Sequence, residues 1–190
     1  MSGLKKLKIT FNAPVVLLFV GLCCVVTLLN YVTNGASNRL LFMNYRSSLT
    51  SLWTYPRFFT HVLGHSDWSH FFGNAIYLLL LGPMLEEKYG SNRLMVVILI
   101  TAFVTGIVNF IFFPGVALCG ASGVVFAFIL MTSFTGFRSG EIPLTFIIIT
   151  IIFIGQQVLD GIFVRDNISN MAHIIGGVVG AVAGYILNKK

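Results

Sequence analysis

Charge is what this sequence has least of. Of its 190 residues only 9% are Asp, Glu, Lys or Arg, and only six are acidic. A soluble domain carries roughly 25% charged residues, so an ordinary solvated surface is excluded. Hydrophobic residues make up 56% of the chain and the mean hydropathy is +0.90. Lipid is the solvent that removes the need for a charged surface. Composition alone therefore points to a membrane protein, with the bilayer as its first partner.

Cysteine is also scarce. Cys23 and Cys24 are adjacent inside an apolar run, and Cys119 stands alone. That spacing gives neither a disulfide framework nor a set of metal ligands, and small buried apolar residues are a sufficient account of all three. Basic residues outnumber acidic ones, 12 to 6, for a net charge of +6. They are scattered between apolar runs, and no basic patch interleaved with aromatics is present, which excludes nucleic acid as a partner. Internal repeats, low-complexity tracts and linkers are absent as well, so residues 1–190 read as a single membrane domain with a short leading segment, 1–13.

What is there is a succession of six apolar segments. They run from Pro14 to Tyr31, Ser69 to Leu85, Leu94 to Phe113, Ala121 to Phe137, Ile142 to Val158 and Asn170 to Leu187. Between the first two lies a long polar and aromatic connection from Val32 to Trp68. The expected fold is thus all-α: a polytopic bundle of six transmembrane helices with a long first outer loop. Several segments approach the lower end of the ~17–25 residues a span requires. The fourth is the least certain to reach both faces, and a short fourth helix would start inside the membrane's thickness. Lys5, Lys6 and Lys8 precede the first segment as in a signal peptide. No small-x-small cleavage site follows it, so it is expected to stay as a signal anchor.

Six spans place both termini on one side. With them go Lys5, Lys6, Lys8, Lys88, Arg93, Arg138, Lys189 and Lys190, against Arg39, Arg46, Arg57 and Arg165 on the other side. The positive-inside rule then puts both termini in the cytoplasm. A bacterial plasma membrane is the expected location.

Polar residues within spans are costly and tend to be functional. Gly120-Ala121-Ser122-Gly123 opens the fourth segment after a Pro114-Gly115 break. An isolated serine at a helix start is ordinarily a cap. Glycine on both sides changes the weighting: Gly120 permits unusual backbone angles and Gly123 permits close approach. A helix N-terminus also offers free N–H groups to a developing oxyanion. Near the start of the sixth segment stands His173, with Gly176, Gly180 and Gly184 following at i+3, i+7 and i+11. At a helical period these share its face, and glycines at that spacing let membrane helices pack closely. The fourth and sixth segments run in the same direction, so Ser122 and His173 lie at matched depths toward the outer face. Such a pair is a nucleophile with its general base. No Asp or Glu lies in the spans near His173, and Asp166 in the preceding loop is a weak candidate, so a dyad is expected. In the second segment His70 and Asn74 are i and i+4 and share a face at the same depth, where both can donate to an oxyanion. His61, His65 and His70 are three imidazoles, but their spacing lacks the i, i+4 pair with Glu of a zinc-protease helix. No metal or cofactor is expected, and His61 and His65 are read as ties for the first loop.

Together the motifs resemble those of the rhomboid intramembrane serine proteases: His-x-x-x-Asn at His70 and Asn74, Gly-x-Ser-Gly at 120–123, and Ala-His-x-x-Gly-x-x-x-Gly from Ala172 to Gly180. Three motifs in order, over about 57–184, make the resemblance specific. It implies Ser122 as nucleophile, His173 as base, and His70, Asn74 and the Ser122 N–H as the oxyanion hole. Glu86 and Gly90 match the family's acidic residue and glycine at the second span's cytoplasmic end. Two positions depart. Pro56-Arg57 replaces a Trp-Arg in the first loop, and Phe126 replaces a Tyr that stacks on the base. The implied substrates are other membrane proteins; the oligomeric state is open. Two alternatives stand beside the enzyme: a catalytically silent rhomboid-like binding or quality-control factor, and a transporter. The second would show inverted repeats or interrupted helices in both halves, and neither is seen.

Overall fold

In a computed structural model, residues 10–135, 141–163 and 170–188 are described. Lys5, Lys6, Lys8, Arg138, Arg165, Asp166, Lys189 and Lys190 lie outside them. The described residues are helical, without a β-strand. The chain order is α1 Pro14–Val32, α2 Arg57–Thr60, α3 Trp68–Tyr89, α4 Ser91–Phe112, α5 Ser122–Ser133, α6 Leu144–Phe163 and α7 Asn170–Asn188. Each apolar segment expected from the sequence thus contains a helix, with shifted ends and, in α5, only 12 residues. Among the described residues three helices are long and apolar enough to cross a membrane: α1, α4 and α7. α5 and the Leu144–Gln157 part of α6 are apolar but shorter.

The shifts have local causes. α3 runs longer than expected because Asp67 caps it, accepting from the His70 N–H at 2.9 Å, and because Pro83 is accommodated inside it. It ends at Gly90, whose φ of +86° suits only glycine, and α4 begins at once. The apolar run behind Ser122 reaches Phe137, yet α5 stops after 12 residues. There the backbone tightens: Phe134 N–H donates to Met131 O at 3.1 Å and Thr135 N–H to Thr132 O at 2.9 Å.

α1 starts at a proline, whose missing N–H costs nothing in the first turn. The next two N–H groups, of Val15 and Val16, both donate to the Glu86 carboxylate at 3.0 Å. Ser91 Oγ donates to the same carboxylate at 2.7 Å. Glu86 therefore joins the start of α1 to the α3–α4 corner, with an anion at a helix N-terminus where the dipole favours it.

The connection between α1 and α3 is not featureless. It holds the four-residue α2 and three further helical turns, at Asn38–Phe42, Leu52–Thr54 and His61–Leu63. Arg57 donates from Nε to Leu40 O at 2.9 Å and stacks over the Tyr45 ring, so it anchors this connection beside a proline rather than a tryptophan. Asn44 and Leu118 exchange two backbone hydrogen bonds of 2.8 Å, and Asn109 Nδ2 reaches Asn44 Oδ1 at 3.2 Å and Val116 O at 3.2 Å. The first loop is thereby fastened to the segment that leads into α5.

At the centre stands α5. Val124, Ala127, Phe128 and Met131 are at most 1% exposed. Its closest partner is α7, and glycine decides the approach. A Cβ on Gly180 would stand 2.0 Å from the Ala127 carbonyl oxygen, and one on Gly184 would stand 2.8 Å from the Phe134 ring. The stripe read from the sequence is the seam on which α7 meets α5, as small residues allow in membrane helices.

Candidate active site

Ser122 is the first residue of α5, and the loop before it is held from two directions. Gly120 has φ +126°, a conformation L side chains rarely adopt, and a Cβ there would stand 2.8 Å from both Cε1 and Nε2 of His70. Only glycine satisfies both constraints. The neighbouring Ala121 N–H points to His65 Nε2 at 3.4 Å. The Ser122 N–H opens the helix and has no intrahelical acceptor.

His173 is on the first turn of α7. Its Nε2 lies 2.8 Å from Ser122 Oγ, across 51 positions of sequence. Its Nδ1 lies 2.6 Å from Gln157 Oε1 on α6. The Phe126 ring, one turn after Ser122, stacks on the imidazole with centroids 4.6 Å apart and planes within 4°. The missing tyrosine hydroxyl therefore leaves the stack intact. Gly123 and Gly176 make the Ser–His distance possible, because the two backbones touch there.

Both His70 and Asn74 face the same space from α3. A cavity of about 770 Å³ is lined by Ser122, His173, Phe126, His70, Asn74 and Cys119, among others. At its rim Ser66, Asp67 and Ser69 are exposed. Asn74 is buried, and its Nδ2 has no hydrogen-bond partner among the described residues. A buried amide left unpaired is costly; one lining a cavity beside Ser122 is a donor waiting for an acceptor. Ser66 governs what His70 offers. Its hydroxyl donates to Asp67 Oδ2 at 2.7 Å, and its oxygen lies 3.2 Å from His70 Nδ1. With that hydroxyl on Asp67, Nδ1 carries the hydrogen and Nε2 donates only from the imidazolium. With the hydroxyl turned to Nδ1, neutral His70 presents Nε2–H.

The remaining polar groups of the region have other partners. His61 Nδ1 lies 2.9 Å from Arg57 O and its Nε2 3.2 Å from Thr105 Oγ1, joining the first loop to α4. His65 Nδ1 lies 3.1 Å from Leu63 O. Burial pushes the pKa of His61 down to about 4. Burial, and after it the neighbouring His70, does the same for His65, also to about 4. Neutral imidazoles in this loop are thus structural ties. Asp67 is held below the usual carboxylate range, first by the His70 N–H and then by the Ser66 hydroxyl. Cys119 lines the cavity three residues before Ser122, but burial, and then Asp67, push its thiol up to about 11. A thiol raised that far is protonated near pH 7. Among the described residues no group of three or more His, Cys, Asp or Glu side chains could hold a metal ion.

One member of this arrangement escaped the sequence reading. Gln157 belongs to an apolar run and carries no motif; only its neighbourhood with His173 singles it out. Of the others read from the sequence, Ser122, His173, His70, Asn74 and Phe126 line one cavity; Gly120 backs onto His70, Gly123 and Gly176 meet beside Ser122, and Gly180 lies farther along the α5–α7 seam against Ala127. A family model described as the Rhomboid domain matches residues 52–190, well over half of the chain.

Proposed function

Because the chain belongs to the rhomboid family, whose members are generally intramembrane serine proteases, we propose that it cleaves peptide bonds of other membrane proteins through Ser122 and His173. The observation that carries this reading is the 2.8 Å contact between His173 Nε2 and Ser122 Oγ, beside a buried donor on Asn74 that lacks a partner. Ser122 Oγ attacks the scissile carbonyl as its proton passes to His173 Nε2. The charge that develops on the carbonyl oxygen is taken up by Asn74, His70 and the Ser122 N–H. His173 then protonates the leaving amine. Water, entering past the exposed rim, attacks the acyl-serine with His173 again as base.

The setting proposed with it is a bundle of six spans with both termini in the cytoplasm and the cavity toward the outer face of a plasma membrane; the long apolar helices α1, α4 and α7 support a membrane location. α5 is short, so Ser122 sits below that face, and a substrate helix must unwind near its end to present an extended backbone. A silent rhomboid-like binding protein is the alternative reading, but it has no use for a Ser–His contact of hydrogen-bond length next to an unpartnered amide. The test is cleavage of a single-span membrane protein in proteoliposomes containing the purified chain. Cleavage by the native sequence and none by Ser122→Ala or His173→Ala supports the proposal. Undiminished cleavage by Ser122→Ala refutes it.

A further inference from the structure

We infer that Gln157 is a positioning residue that decides which nitrogen of His173 carries the hydrogen. The inference rests on the dyad reading above and extends it to a third side chain on a third helix.

A polar side chain in an apolar helix is costly unless it finds a partner. α6 has two adjacent glutamines. Gln156 is exposed, whereas Gln157 is turned inward and is 8% exposed. Its Oε1 lies 2.6 Å from His173 Nδ1. That distance and the Ser122 contact on the other nitrogen fix the proton inventory. To take the Ser122 proton, neutral His173 needs a bare Nε2, so its one hydrogen sits on Nδ1. The Gln157 carbonyl oxygen accepts that hydrogen. In the other tautomer Nδ1 and Oε1 would be two acceptors facing each other at 2.6 Å, and Nε2–H would donate to the serine instead of accepting from it.

The same contact serves the transition state. When the proton moves from Ser122 Oγ to Nε2, the Nδ1 hydrogen stays in place and becomes the second donor of an imidazolium. Gln157 meets it with a dipole and not with a charge. A carboxylate in this position would favour the imidazolium more strongly, but it would place an ion among membrane helices. With Oε1 turned toward Nδ1, as it is here, a carboxamide favours the Nδ1–H tautomer without that cost. α6 supports the arrangement a second time: Phe153, one turn before Gln157, packs edge-on against Phe126, the ring stacked on His173, at 5.7 Å and 84°. One face of α6 thus braces both the edge and the flat of the base.

The test uses the full chain in bilayers, with Gln157→Leu and Gln157→Glu. Imidazole 15N spectra, assigned against His173→Ala, report the tautomer of His173. The rate of Ser122 labelling by a fluorophosphonate, measured across pH, reports its function. The native protein is expected to hold the Nδ1–H tautomer. Gln157→Leu is expected to mix the tautomers and to label about 10–100-fold more slowly. Gln157→Glu is expected to keep labelling within a few-fold and to move the acid limb of the pH profile to higher pH, because a carboxylate favours the imidazolium. If Gln157 only packs α6 on α7, the variants lose stability while the tautomer and the acid limb stay where they are; that result overturns the inference. A native protein that is not labelled at all defeats the dyad reading. The 15N spectra would still decide the role of Gln157 by themselves.

Discussion

Gly176 is pressed onto Gly123 so closely that a Cβ at 176 would stand 2.1 Å from the Gly123 carbonyl oxygen. Gly123 follows Ser122, and Gly176 lies one turn after His173. The backbone contact therefore sets the distance between Ser122 and His173, the proposed nucleophile and base, and one pair of glycines serves both the packing and the proposed chemistry.

Alanine at Gly176 or Gly180 is expected to disrupt both. The obstacle is backbone in each case, at 2.1 and 2.0 Å, and backbone yields less readily than a side chain. Overpacking typically costs 1–3 kcal/mol, and these two positions should sit at about the top of that range or above it. Gly184→Ala meets only the Phe134 ring and should cost less, while Gly155→Ala meets nothing within 4 Å and should be neutral or mildly stabilising. Unfolding midpoints of the four variants in one detergent check the order.

The two proposed oxyanion donors on α3 should be unequal. Asn74 Nδ2 is a donor at every pH and has no other partner among the described residues. His70 Nδ1 lies against the Ser66 hydroxyl, which itself donates to Asp67, so what the His70 ring can donate depends on that hydroxyl. Asn74→Ala is expected to lower kcat by about 10²–10³-fold with a smaller change in KM, and His70→Ala by no more than that. A His70 effect clearly exceeding the Asn74 effect in a reconstituted cleavage assay would show that the roles are reversed.

Acid should loosen the first loop. His61 and His65 titrate at about 4 in the folded protein against about 6.5 in an unfolded chain. Their pKa values are lowered, so the unfolded state binds more protons between these limits and stability rises with pH there. The stability they give is complete above about pH 6.5 and is lost as pH falls from there toward 4. Protection factors for amide exchange at Thr60 and Gly64, taken against the intrinsic rate at each pH, should fall across that window as pH is lowered, and replacing both histidines by asparagine should flatten that fall.

Glu86 should be worth more than an exposed carboxylate. It is buried and accepts from two backbone N–H groups at the start of α1 and from Ser91. Glu86→Ala leaves those N–H groups without an acceptor and is expected to cost about 1.5–3 kcal/mol or more. Glu86→Gln keeps an acceptor oxygen and should cost less. Urea or SDS titration of both variants gives the comparison.

Much of this architecture was legible from spacing alone. His173 with Gly176, Gly180 and Gly184 repeats at the helical period, so the seam with α7 could be read before any partner was known. His70 and Asn74 at i and i+4 likewise fall on one face of α3. What spacing could not give is rotation and depth. Gln156 and Gln157 are adjacent in an apolar run with no glycine stripe, and nothing local says which of them turns toward α7. The end of α5 was hidden because the apolar run continues past Ser133, and the break comes from tightened hydrogen bonds at Phe134 and Thr135. That Asn74 lacks a partner is a property of the assembled site, which no single segment contains.

The most direct measurement is mass mapping of the native chain after exposure to a fluorophosphonate in proteoliposomes. An activated serine reacts, whereas a serine that only caps a helix does not. One adduct on the peptide containing Ser122, absent after heat denaturation and absent in His173→Ala, is the predicted result. No adduct on Ser122, or equal labelling of Ser122 in the His173→Ala variant, would contradict the account.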